Sequence, residues 1–93
     1  MILGTFVKQP VEVKDYDVEY QDWLVEGDAV ADAQVSVSPV ADLAVDAVYV
    51  VPPNVNIWLS GGVHGDSYKI TVTMTTVSGR VRQDEFRLKI KEY

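Results

Sequence analysis

An alternation of apolar and polar residues over residues 68–75 is the clearest pattern in this chain. Its apolar members are Tyr68, Ile70, Val72 and Met74. One lysine and three threonines lie between and after them. Successive side chains of a β-strand point to opposite faces, so the segment predicts a strand with one buried and one solvated face.

A similar alternation predicts a last strand, in which the apolar residues are Phe86, Leu88 and Ile90. The apolar residues of both strands have even numbers, so partners on the core face must have numbers with an even sum. A two-residue turn at Ser78-Gly79 would pair residues whose position numbers have an odd sum. The apolar face of one strand would then point toward water. The pattern therefore predicts a three-residue loop of Val77, Ser78 and Gly79, with Gly79 in a left-handed conformation. The predicted pairs are Ile70 with Phe86 and Tyr68 with Leu88.

Five earlier segments also predict strands, and they comprise residues 5–7, 16–20, 34–38, 43–51 and 54–59. Pro10 predicts that the first strand is an edge, because proline cannot donate to a sheet ladder. Val11 and Val13 are expected to resume the same edge after a bend. The fourth segment is apolar except at Asp46, and its inward parity stays open.

Residues 22–28 interrupt the strand patterns. We expect at most one helical turn here, with Asp22 as its cap and Gly27 ending it in a left-handed conformation. Trp23 or Leu24 would then close one end of the core. Together the patterns predict one all-β domain over residues 1–93, an immunoglobulin-like or fibronectin-like antiparallel β-sandwich of about seven strands.

Tyr68 follows the glycine-rich corner of residues 61–66. A tyrosine at this place can bury its ring and return its hydroxyl to the backbone of the corner, as in the tyrosine corner of sandwich folds. We therefore expect Tyr68 to be a structural residue whose hydroxyl forms a hydrogen bond with the backbone of the corner.

Trp58 is predicted to lie on the outer face of its strand. In residues 54–59 the apolar parity Val55, Ile57 and Leu59 faces the core, which leaves Trp58 outside. An outward tryptophan is a favoured anchor at protein interfaces. Two alternatives stay open: the ring is covered by its own chain, or a bulge reverses the parity and buries it.

Composition excludes several classes of function. The chain has no cysteine, so disulfides, thiolate nucleophiles and cysteine-bound zinc are excluded. A net charge of −6 argues against a nucleic-acid partner. No apolar run approaches the roughly 20 residues of a membrane helix. Residues 1–4 lack the features of a signal peptide. We therefore expect a protein made in the cytoplasm, without a membrane partner.

The carboxylates are concentrated in residues 11–46, and residues 47–93 are slightly basic. This asymmetry predicts a surface that orients the domain against a partner, and a solvated face is the simpler alternative. Calcium held by Asp22, Glu26 and Asp28 is a further alternative, although no spacing matches an EF-hand loop.

His64 is the only histidine, and it has neither a nucleophile nor a second metal-binding histidine to act with. No phosphate-binding motif is present. We therefore predict no catalytic residue, no cofactor and no metal site.

The chain as a whole resembles a group of small tailed-phage proteins described as fiber–tail adaptor or tail-associated structural proteins. The resemblance rests on residues 6–10, 15–18, 22–24, 27–28, 57–62 with Gly65 and Tyr68, and 75–80. Residues 31–53 match that pattern least.

This resemblance implies a virion component that is not an enzyme and that contacts other phage tail or fiber proteins, or further copies of itself as a homo-oligomer. The interface candidates are Trp58, Gly61, Gly62 and His64. The structural candidates are Tyr68, Trp23 and Gly79. The alternative function is an immunoglobulin-like binding module for carbohydrate or another surface ligand.

Overall fold

The computed structural model describes residues 2–93, which form seven β-strands and no helix. The strands are β1 (Ile2–Lys8), β2 (Lys14–Glu19), β3 (Val30–Ser38), β4 (Leu43–Val51), β5 (Asn54–Gly61), β6 (Ser67–Thr76) and β7 (Val81–Ile90). Met1, on which part of the signal-peptide expectation rests, lies outside the described residues. Within residues 2–93 there is no helix that could cross a membrane.

The strands form two sheets that enclose one core between them. One sheet has the order β1-β7-β6-β3 and the other has the order β2-β5-β4. All neighbours are antiparallel except β1 and β7, which run parallel. The predicted all-β sandwich of about seven strands is therefore confirmed, and its finer assignment as immunoglobulin-like or fibronectin-like stays a prediction.

The first strand is an edge of its sheet, as Pro10 predicts. The expectation that Val11 and Val13 resume this edge is wrong. Both side chains are exposed in the loop between β1 and β2. This loop turns on a hydrogen bond from the Glu12 N–H to the Gln9 carbonyl at 3.1 Å, and the chain then enters the other sheet.

The hairpin of β6 and β7 has the predicted register. Ile70 lies opposite Phe86, and Tyr68 lies opposite Leu88. The Thr76 N–H donates to the Arg80 carbonyl at 2.8 Å and closes the predicted three-residue loop. Gly79 has a φ of 94°, so the expected left-handed glycine is confirmed.

The inward side chains of both sheets form one apolar cluster. Its most deeply buried members are Val55, Ile57, Leu59, Ile70, Val72, Met74 and Leu88, each 0% exposed. Burying an aliphatic side chain of this size contributes roughly 1.5–3 kcal/mol before conformational entropy is counted. The cluster holds the central strands of the two sheets together and leaves their outer faces for other roles.

A bulge in β4 settles the parity that the sequence leaves open. The pairing of β4 with β5 shifts between Val45 and Ala47, so Asp46 is the extra residue. Val45 before the bulge and Val48 after it both pack against the core. The side-chain alternation therefore changes phase at the one acidic residue of the strand, which stays exposed.

The expected burial of the Tyr68 ring is confirmed, but the expected hydrogen bond of its hydroxyl is not formed. Its ring is buried, with 2% of the residue exposed. The Asp66 carboxylate and the backbone at Val63 lie near enough to affect the pKa of the phenol, which burial above all raises. Neither forms a hydrogen bond of standard geometry with the hydroxyl, which has no partner among residues 2–93. The corner backbone is instead bonded to β7, since the Gly65 N–H donates to the Ile90 carbonyl.

The segment before β3 forms the expected single turn, but Asp22 does not cap it. The Trp23 and Leu24 N–H groups both donate to the Tyr20 carbonyl at 3.0 Å, so Tyr20 occupies the position before the turn. Trp23 and Leu24 are half-buried and pack against the core, as predicted. Gly27 has the expected positive φ, at 85°, but it does not end this turn. It lies in a second turn, in which the Asp28 N–H donates to the Val25 carbonyl at 3.1 Å.

Candidate protein-protein interface

The outer face of the three-stranded sheet carries the predicted tryptophan among polar and aromatic side chains. Two rows of paired residues cross this sheet, from β2 through β5 to β4. We call these six residues the outer sheet face: Asp15, Trp58 and Ala47 in one row, and Asp17, Asn56 and Tyr49 in the next.

Trp58 keeps the outward parity that the sequence predicts. Its neighbours Ile57 and Leu59 are both 0% exposed on the core side. Trp58 is half-buried, and it does not belong to the described side chains that pack against the core. A bulge does occur in this sheet, but it lies in β4, so the alternation of β5 is unbroken. The alternative of a Trp58 turned into the core is therefore wrong.

A single amide holds two carboxylates in place beside this tryptophan. Asn56 Nδ2 donates to Asp15 Oδ2 at 3.0 Å and to Asp17 Oδ1 at 2.7 Å. Hydrogen bonds to ionised groups are stronger than those between neutral groups. The sheet therefore presents two positioned negative charges next to an aromatic ring.

Tyr49 completes the face, and sequence reasoning missed it. Tyr49 is 55% exposed, although it lies in a strand that is apolar except at Asp46. The parity of Tyr49 depends on the bulge at Asp46, because without it residue 49 would share the core face with Val45. The acidic residue within the apolar run is the signal that could have indicated the change of phase.

Gly61 and Gly62 lie where an added Cβ would meet atoms of other segments. Gly61 has a φ of 82°, and a Cβ there would lie 2.5 Å from the backbone oxygen of Asp42. Gly62 has a φ of 96°, and a Cβ there would lie 2.7 Å from the Ile90 side chain. Close packing therefore accounts for both glycines, and their role at an interface stays a prediction.

His64 lies at the exposed end of the sandwich, away from the two rows of the outer sheet face. Its Nδ1 accepts a hydrogen bond from the Glu92 N–H at 2.8 Å. The structure therefore does not gather the predicted interface residues into one patch: Trp58 lies with the carboxylates, and His64 lies with the carboxyl-terminal segment.

The acidic loop before β3 is used for internal bonding. Asp28 accepts hydrogen bonds from Ser78 Oγ at 2.6 Å and from the Ala29 N–H at 2.9 Å. Within residues 2–93 there is no group of three or more histidine, aspartate or glutamate side chains that could hold a metal ion. The structure thus does not bring Asp22, Glu26 and Asp28 together around a calcium site.

Lys8 is a buried cation that sequence reasoning missed. The residue is 0% exposed, and its Nζ donates to the carbonyls of Gln9 at 2.8 Å and Gly61 at 2.6 Å. A third carbonyl, that of Pro10, lies 3.5 Å away. Burial lowers the pKa of the ammonium group, and the nearby Glu12 carboxylate partly offsets the shift. The alternation of β1 gives no signal for this position, because apolar residues of both parities, Phe6 and Val7, are equally exposed at 42%.

A comparison with known protein families gives a match that covers most of the chain. A family model described as podophage GP4 fiber-tail adaptor protein gp77 matches residues 8–89. The match runs from buried Lys8 to Lys89 in β7, and it includes the 31–53 segment that resembles the pattern least. The resemblance found in the sequence is confirmed. No curated protein matches the chain.

Proposed function

The chain belongs to the podophage GP4 fiber-tail adaptor family, and we propose that it joins tail and fiber proteins of a virion through direct contacts, without catalysis. Its family makes it a structural protein of a phage tail. The match over residues 8–89 is the observation that carries the proposal. The chain would be made in the host cytoplasm and then enter the particle.

The outer sheet face is the surface proposed for one of these contacts. It combines the half-buried Trp58 ring and the exposed Tyr49 ring with two carboxylates that Asn56 already orders. Aromatic anchors dominate the energy of interfaces, while charges at their rim fix register and speed association. Because the carboxylates are held before the partner arrives, little conformational entropy is lost in ordering them.

The corner of Gly61, Gly62 and His64 is proposed as a secondary contact at the end of the sandwich. His64 is exposed and offers a polar ring at the surface of this corner. Its support is the exposed position alone, so Trp58 ranks first. Homo-oligomer formation through either surface is a further proposal.

Quantitative mass spectrometry of purified virions tests the adaptor function. We expect the wild-type chain in the particles and a loss of most copies in the double variant Trp58→Ala/Tyr49→Ala. Because both side chains lie outside the core, the double variant should keep its fold with a loss of only about 1–2 kcal/mol.

A matched control uses the exposed aromatic residue at the carboxyl end. Tyr93→Ala removes a ring that is 80% exposed and lies outside the outer sheet face, so incorporation should be unchanged. A wild-type chain missing from virions would refute the adaptor function. Normal incorporation of the double variant would refute the role of the outer sheet face and leave the adaptor function standing.

Carbohydrate binding is the second candidate, because aromatic rings beside polar groups also suit sugar rings. Trp58 and Tyr49 lie on a sheet surface with Asn56 and Asp17 between or beside them. Fluorescence titration of the protein with maltohexaose and cellohexaose examines this candidate. A saturable change that Trp58→Ala removes would support it, and no change at millimolar sugar would exclude these two ligands.

A further inference from the structure

A cleft lies between the edges of the two sheets, where β2 faces β1. It has a volume of about 390 Å³ and is lined by residues 15–19 of β2, with Leu3, Phe6 and Phe86 opposite. Alternate residues of a strand point to opposite faces, so five consecutive lining residues show that β2 presents its edge to the cleft. We call this space the β2 cleft.

The β2 edge is open and regular, which distinguishes it from the other sheet edges. The described strands leave four edges, namely β1, β2, β3 and β4. The pairings of β1, β3 and β4 with their neighbours each contain a register shift, whereas β2 pairs with β5 without one. Bulges are a usual means of preventing strand addition at an edge. The β2 edge lacks that protection.

The side chains around the cleft determine which side-chain pattern an added strand would need. Its apolar wall is an aromatic cluster in which the Phe6, Tyr16 and Phe86 ring centroids lie 5.5–5.7 Å apart. Its rim carries Asp15 and Asp17, which alternate with the inward residues of β2. A strand added at this edge would place alternate side chains against the aromatic wall and the others beside the carboxylates.

We propose that the β2 cleft binds an extended segment of another virion protein as an added strand, with apolar residues alternating with lysine or arginine. The proposal rests on the proposed function for the source of the partner, and on the cleft for its chemistry. A second copy pairing through its own β2 would bring Asp15, Asp17 and Glu19 of both chains together, and like charges repel. The charge of the rim therefore selects a basic partner segment. Six residues, about 20 Å of strand, match the length of β2.

Synthetic peptides test this inference on the whole ¹⁵N-labelled protein by NMR. The probe is a blocked octapeptide of alternating valine and lysine. It should shift the amide signals of β2. At 0.05 M salt it should bind about tenfold or more tightly than a comparison octapeptide of alternating valine and glutamate. Its own affinity should be lower at 0.5 M salt than at 0.05 M salt. An alternating serine–lysine peptide has the same charge without apolar side chains. Equal binding of that peptide would show general charge attraction and overturn the proposal.

Backbone pairing is tested with two methylated forms of the valine–lysine peptide. One carries N-methyl groups on its valines and the other carries them on its lysines. In a strand, the N–H groups of alternate residues point to the same edge, so only one of the two forms should lose binding. Equal affinity of both forms and the parent peptide would overturn strand addition.

The rim is tested with a triple variant and a control of matched charge. Asp15→Asn/Asp17→Asn/Glu19→Gln removes three charges and keeps oxygen acceptors for Asn56. It should abolish the preference for lysine over glutamate peptides. The control removes three exposed charges outside the cleft and comprises Glu26→Gln, Asp32→Asn and Glu92→Gln. Equal loss of preference in both variants would overturn the role of the cleft.

Failure here is separable from failure of the adaptor function. A chain present in virions that binds none of the peptides would refute the β2 cleft and leave the adaptor function intact. Peptide binding that follows the predicted pattern supports the cleft even where the virion test gives no incorporation.

Discussion

Ser78 Oγ donates a 2.6 Å hydrogen bond to Asp28 Oδ2 and thereby ties the loop before β3 to the hairpin of β6 and β7. The Ser78 N–H also donates to the other carboxylate oxygen, at 3.2 Å. Next to this contact the Val77 N–H donates to the Ala29 carbonyl at 2.9 Å. The tip of the hairpin, whose glycine loop the sequence predicts, is thus anchored by a carboxylate from another part of the chain.

The hydrogen bond from the Ser78 hydroxyl to Asp28 contributes to the stability of the fold at low pH. Hydrogen bonding by Ser78 above all lowers the pKa of Asp28 from 3.8 to about 2. Its contribution to stability is therefore present above pH 3.8 and is lost as the pH falls toward 2. Ser78→Ala should move the acid-unfolding midpoint, followed by circular dichroism, to a higher pH. Ser36→Ala, an exposed serine on β3, is the control. Equal midpoints in the two variants would contradict the coupling.

Gly61 and Gly65 form a matched pair for testing the sheet junction. Both have positive φ, at 82° and 91°, but only Gly61 has backbone atoms of Asp42 where a Cβ would lie. Gly65→Ala should cost only the backbone conformational energy of about 1–2 kcal/mol. Gly61→Ala should cost about 1–3 kcal/mol more, because the backbone must move. Urea unfolding measures both. Similar losses would show that the junction adapts without strain.

Local alternation was sufficient for predicting the strands and the β6–β7 register, because burial on one face allows a single register. Contacts between distant segments were not predictable in the same way. The clamp of Asp15 and Asp17 by Asn56 requires the pairing of β2 with β5, which are separated by two strands in the chain. The position of Tyr49 requires a bulge that periodicity alone does not locate. The buried Lys8 ammonium requires carbonyls from β5 and from its own loop.

Tyr68 provides a test in which a hydroxyl is expected to matter little. Its hydroxyl is buried and forms no hydrogen bond within residues 2–93, so Tyr68→Phe leaves no partner unsatisfied. The free energy of unfolding should change by less than about 0.5 kcal/mol, or rise. Tyr68→Ala should lose about 3–5 kcal/mol, as expected for an emptied aromatic site. Thermal and urea unfolding give both values. A loss above about 1 kcal/mol for Tyr68→Phe would indicate a hydrogen-bonded hydroxyl, as the tyrosine-corner expectation requires.

Lys8→Met tests whether a buried ammonium group stabilises the junction between β1 and β5. The variant keeps a long apolar side chain and removes the donor that Gln9 and Gly61 share. Carbonyls left without this donor should lower the free energy of unfolding by about 1–3 kcal/mol at pH 7. Removal of a buried charge acts in the opposite direction, so a stabilised variant would show that burying the charge costs more than its hydrogen bonds contribute.

The pH dependence of the same pair of proteins separates the cost of burying the charge from the contribution of its hydrogen bonds. Burial lowers the pKa of Lys8 below its usual 10.5, so between the two values the unfolded chain holds a proton that the folded chain has released. The stability contributed by this group therefore rises with pH in that interval. Tyr20 acts oppositely, because its pKa is raised to about 12 in the fold. Because Tyr20 is present in both the wild type and Lys8→Met, its effect cancels in the difference between their free energies of unfolding. The stability of the wild type relative to Lys8→Met should therefore increase as urea unfolding is repeated from pH 7 toward 10.5. A constant difference would mean that folding leaves the proton affinity of the ammonium group unchanged.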